Sequence, residues 1–154
     1  MSELSIDLVW TRKTPTLEVG KYSNMHDVSF SGDQRLTADA APDWGGSPHA
    51  TNPEEALAAA LSSCHMMTFV ALAAKAQWPI TEFTDHAVAY LGKNTSGMMA
   101  ISRIDLHPKV QFDDGFEIDG TTVKKMHERA HRYCFVANSL ADFVEVNIIE
   151  DADL

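Results

Sequence analysis

From Ala56 to Ala74 the chain runs nineteen residues without an Asp, Glu, Lys or Arg. Alanine and leucine dominate the stretch, and both favour helix. Its length is about that of a membrane-spanning helix. Ser62, Ser63, His65 and Thr68 interrupt it, however, and nothing else in the chain resembles a second span or an anchor. The expectation is therefore no membrane, and a helix apolar on nearly all sides because protein surrounds it. Its ends are legible. Asn52 is a good N-cap, Pro53 suits the first helical position, and Glu54 and Glu55 complement the positive helix end. Trp78-Pro79 stops it after about Gln77.

The remaining segments must enclose that helix. Leu4, Ile6, Leu8 and Trp10 alternate with Ser5, Asp7 and Val9, Val28 and Phe30 with Asp27 and Ser29, and a third extended run follows over 35–41. Pro42-Asp43-Trp44-Gly45-Gly46-Ser47-Pro48 reads as a loop. Beyond the helix, strands are expected over 84–91 and 98–112, separated by the turn residues 92–97. An amphipathic helix starts near 119–122, with Val123, Met126, Ala130 and Cys134 on one stripe. A last strand covers 143–149. The sum is one α+β domain over 1–154, a length at which roughly 70% of the unfolded surface can be buried.

A formal net charge of −10 leaves no basic surface for nucleic-acid phosphates. The start, Met-Ser-Glu-Leu-Ser-Ile-Asp, has neither the basic nor the apolar region of a signal peptide. Two cysteines do not make a secreted disulfide scaffold. The expected compartment is the cytoplasm, where two thiols are either inert core residues or a redox pair.

Cys64 stands in the middle of the apolar helix, next to His65 and ten residues after Glu54. Cys134 sits seventy residues on. Spacing alone leaves open whether the sulfurs meet. His127-Glu128-Arg129-Ala130-His131 matches the H-E-x-x-H zinc pattern. Lys124, Lys125, Arg129 and Arg132 crowd the same turns, so we expect a solvated helix face, no metal and no cofactor. Zinc hydrolysis through His127 and His131 is the weakest of the functional readings. His26, His49, His86 and His107 read as ordinary surface residues.

Asn52-Pro53-Glu54-Glu55, followed by an Ala-rich helix to Ser62-Ser63-Cys64, resembles the N-P-E-[EQ]…A-A-C signature of the OsmC/Ohr family (osmotically inducible protein C and organic hydroperoxide resistance proteins). Cys134-Phe135-Val136-Ala137-Asn138-Ser139-Leu140 resembles its second motif, C-P-V-S-x-x-L. The resemblance implies an intertwined homodimer with central helices enclosed by antiparallel sheets and active sites at the subunit interface. It implies reduction of organic hydroperoxides, with Cys64 as peroxidatic cysteine, Cys134 as resolving cysteine, Glu54 as the carboxylate of the site, and an external dithiol as reductant.

Three positions depart from the family pattern. Asn24 stands where related sequences carry a catalytic Arg, His65 where many carry Phe, and Phe135 where Pro is usual. With the Arg gone, protonated His65 or His26 is the expected auxiliary cation for the Cys64 thiolate. Met66, Met67, Phe69 and Trp44 are the expected apolar walls. The rival reading is a scaffold or apolar binding protein of the same fold without turnover.

Overall fold

The computed structural model describes residues 1–150. The element order is β1 (Ile6–Val9), β2 (His26–Phe30), β3 (Arg35–Ala38), a 3-10 turn (Pro42–Trp44), α1 (Pro53–Lys75), β4 (Ile80–Asp85), β5 (Val88–Lys93), β6 (Met99–Leu106), β7 (Pro108–Phe112), α2 (Gly120–Tyr133), α3 (Phe135–Ser139) and β8 (Glu145–Ile148). The expected mix of helix and sheet is what forms. Where the sequence suggests one domain, contacts divide the chain into two compact units, Met1–Ala56 and a larger one from Leu57 onward.

In the first unit β1, β2 and β3 form an antiparallel meander, with Ile6 opposite Phe30 and His26 opposite Ala38. Ile6, Leu8, Val9, Phe30 and Leu36 are all exposed, and Trp10 meets Tyr22 edge to face. Asp39, buried, accepts from the backbone N–H groups of Ala40 and Ser47 and so fixes the loop that leads to α1. The side-chain oxygen of Asn52 accepts from the Glu55 N–H at 2.9 Å, the expected N-cap.

In the second unit two of the expected strands each divide. The segment read as 84–91 belongs to β4 and β5, and 98–112 breaks at His107-Pro108 into β6 and β7. β4 pairs with β7, while β5, β6 and β8 form a separate sheet. Proline has no N–H for a continuous ladder, and hydrophobic alternation does not register such a change of partner. β8 lies parallel to β6, a departure from the wholly antiparallel sheets expected.

Helix α1 buries Ala58, Leu61, His65, Phe69 and Ala73, a stripe repeating every three or four residues. Its first half packs with Ile104 and Leu106 of β6 and with Cys134. Its second half packs with Met126 and Ala130 of α2 and with Phe83 and Val110 of β4 and β7. Full burial of Phe69, Leu61, Ile104 or Leu106 contributes about 1.5–3 kcal/mol each. The helix is thus a core helix along one stripe. It is not covered all round, as its apolar sequence suggests, since Met67 and Val70 stay exposed. α1 ends at Lys75, and Gln77, just beyond it, takes a left-handed φ of 62°. The N–H groups of Gln77 and Trp78 bond back to the carbonyls of Ala74 and Ala73. This is the Schellman pattern, and it turns Trp78 onto Phe69 with 6.3 Å between ring centroids.

Candidate active site

The expected stripe on α2 holds for Met126 and Ala130, but not in the same way for Cys134. The helix ends at Tyr133. Cys134 is extended (φ −71°, ψ 118°), closing α2 and capping α3, with its Sγ 3.4 Å from the Ala137 N–H. The bend brings the Cys134 thiol against Cys64 within the core of the second unit. Both cysteines are free; Cys134 is fully buried and Cys64 partly open.

The two thiols are electrostatically unequal. Burial acts to raise the Cys64 pKa, but hydrogen bonds from the Cys134 thiol and from the Val136 and Phe135 backbone N–H groups outweigh it and hold Cys64 below an ordinary cysteine. Cys134 is pushed up to about 11, first by burial and then by its role as donor to Cys64. Of the two thiols Cys64 therefore ionises the more readily and Cys134 the less. The support comes from neutral donors at the turn after Cys134, not from a cation.

Cys64 opens into a groove of about 590 Å³, lined also by Met67, Thr68, Leu72, Lys75, Arg129 and Phe135 among others. Of the walls expected from sequence only Met67 belongs to it. Phe69 is buried in the core, and Trp44 lies in the first unit. Lys75 and Arg129 give the groove a basic flank that the sequence reading missed. Lys75 is eleven residues from Cys64, a multiple of the helical repeat, and that spacing was the available signal.

His65 is not the auxiliary cation. Its ring is 1% exposed, and its Nε2 lies 3.0 Å from Nδ1 of His127, with the two rings within 11° of parallel. Burial, reinforced by His131, lowers the His65 pKa to about 4, and burial with His65 beside it lowers that of His127 to about 4. Both are neutral at pH 7. The correction extends to the H-E-x-x-H segment: His127 is 2% exposed and faces the core, not solvent. His26 belongs to β2 of the first unit, its Nδ1 2.8 Å from the Asn24 carbonyl. Glu54 stands in the first turn of α1, and its Oε2 is buried without a hydrogen bond among the described residues.

The family model described as OsmC-like protein matches residues 45–149, a span containing α1, both cysteines and every strand after β3. The chain belongs to the OsmC-like protein family. Among solved structures, an OsmC-like protein of unknown function from Vibrio cholerae is 37% identical, covering 97% of this chain and 100% of its own, with a TM-score of 0.89. An organic hydroperoxide resistance protein OsmC from Legionella pneumophila is 16% identical over 99% of this chain and 98% of its own, TM-score 0.75. The organic hydroperoxide resistance protein of Bacillus subtilis is 15% identical over 97% and 98%, TM-score 0.71. The last two share the fold. No curated protein gives a significant sequence match.

Proposed function

We propose that this OsmC-like chain is a thiol peroxidase for organic hydroperoxides, working through Cys64 and Cys134. The observation that carries the reading is the asymmetric thiol pair: a groove-facing Cys64 with lowered pKa, hydrogen-bonded to a buried Cys134 with raised pKa. Ionisation is the first requirement, since the thiolate is the nucleophile.

The Cys64 thiolate attacks the terminal oxygen of ROOH. An S–O bond forms, the O–O bond breaks, and RO⁻ leaves and takes a proton as ROH. The resulting sulfenic acid condenses with the Cys134 thiol, forming the S–S bond and releasing water. An external dithiol then reduces the disulfide by two exchange steps and leaves oxidised. Met67, Leu72 and Phe135 favour an organic R group over hydrogen peroxide. The cytoplasm, which keeps thiols reduced, suits the cycle.

The assembly in this reading is the intertwined homodimer. It is supported by apolar side chains on the exposed β1–β3 meander and by the uncovered Met67 and Val70 of α1. Glu54 has the role of the site's carboxylate, as the family motif implies.

The test is one equivalent of cumene hydroperoxide added to reduced protein. Loss of both thiols within seconds, with a Cys64–Cys134 disulfide found by mass spectrometry, is expected. Thiols that persist for minutes overturn the reading. A second reading, a scaffold or apolar binding protein without turnover, is favoured by two observations: no cation is among the causes of the lowered Cys64 pKa, and Asn24 stands where the family resemblance places an Arg. Inert wild type together with peroxidase activity in Asn24→Arg is its signature.

A further inference from the structure

The buried histidine pair has no role in the chemistry above, yet it adjoins it on both helices. His65 follows Cys64 directly on α1. His127 precedes Cys134 by seven residues, two turns of α2. The His65–His127 bond of 3.0 Å is therefore a second tie between the same two segments that the thiols join. Phe69, with its centroid 4.3 Å from that of His127, and Phe83, at 6.5 Å from His65, wall the pair from water.

The proton placement follows from the surroundings. Oε1 of Glu150 lies 3.4 Å from His127 Nε2. That contact is not a hydrogen bond, but placing the His127 proton on Nε2 avoids setting a lone pair against the carboxylate oxygen. Its Nδ1 then accepts from the Nε2–H of His65. The Nδ1 of His65 is left buried without a partner. A proton added to either ring leaves one N–H between them to share, but it buries a charge behind Phe69 and Phe83, since His65 is 1% and His127 2% exposed, and that burial is what acid works against. The charged and titratable groups facing the pair are His131 of α2, which disfavours a charge on His65, Asp85 of β4, which favours it, and Glu150, flanked by Lys124 and Glu128.

We propose that His65 and His127 are positioning residues for the thiol pair: their neutral bond pins α1 to α2 and keeps Cys134 enclosed against Cys64, and acid releases it. The inference deepens the peroxidase reading but is read out without turnover, so the two fail separately. Both imidazoles are held near pKa 4 in the closed form, against the ordinary 6.5. An opening that takes up one proton then becomes about tenfold more favourable per pH unit between those values.

The experiment labels Cys134 in the full-length Cys64→Ser chain with 2,2′-dipyridyl disulfide, which reacts with thiols in acid. Rates are taken from pH 7 to 4, normalised to a small free thiol at each pH, with circular dichroism confirming that helix persists. The expected result is slow labelling at pH 7 that rises about tenfold per pH unit below about 6. In the same background the double variant His65→Gln/His127→Asn keeps a donor where Nε2 was and an acceptor where Nδ1 was, but neither side chain titrates. It is expected to stay slow and flat to pH 4. A flat profile with both histidines present, or the same slope in the double variant, overturns the proposal.

Discussion

Acid should destabilise the fold by an amount set by the two buried imidazoles. Each has a folded-state pKa of about 4 against 6.5. The unfolded chain therefore binds more protons throughout that interval. Stability is complete above about pH 6.5 and falls as the pH drops toward 4. At pH 5 the unfolded imidazole is nearly all protonated and the folded one about one-tenth, which costs about 2 kcal/mol for one group and up to about 4 for both. Against a total of about 5–15 kcal/mol for a typical protein, that is a large share. Glu150 acts the other way, since burial raises its carboxyl pKa and lets the folded chain take up a proton earlier than the unfolded one. Urea unfolding at pH 7, 6 and 5 reads the effect as a falling midpoint at constant slope. The control is His65→Leu/His127→Leu, which fills the site with apolar atoms and does not titrate. Its midpoint should not follow the wild-type fall. A wild-type midpoint that is flat between pH 7 and 5, or a double variant that loses as much, refutes the reasoning.

Phe69→Ala removes the fully buried ring that Trp78, Phe83 and His127 surround and should cost about 3–5 kcal/mol in urea unfolding. Gln77→Gly should stabilise by about 1 kcal/mol, because Gln77 holds a left-handed φ that glycine adopts without strain; no gain in midpoint counts against the α1 cap described above. After hydroperoxide, Cys134→Ser should show Cys64 trapped as sulfenic acid or over-oxidised by mass spectrometry, and Cys64→Ser should show Cys134 still reduced. Light scattering at micromolar concentration should give twice the chain mass, and a monomer would remove the intertwined dimer.

Much of the fold is written into local patterns. The ends of α1 follow from Asn52-Pro53 and Trp78-Pro79, because capping and proline act on their immediate neighbours. The α+β class follows from where two-residue and helical periods alternate, and the family from two motifs that carry Cys64 and Cys134. The splitting of β4 from β5 and β6 from β7 was not legible, since alternation records which face is apolar but not which strand is the partner. The fate of the histidines shows the same boundary more sharply. His65 stands four residues after Leu61 and four before Phe69, and His127 four after Val123 and three before Ala130, so each occupies a core position of its own helix. The spacing told where the rings point. Whether they met water and took up a proton depended on what lay opposite, and only the packing of α1 on α2 decided that, by placing each imidazole against the other. Cys64 follows the same logic: the sequence determined that a thiol would stand in mid-helix, while its lowered pKa was created first by the Cys134 thiol and then by the backbone N–H groups of Val136 and Phe135, some seventy residues away in the chain and brought to it by the bend at Cys134.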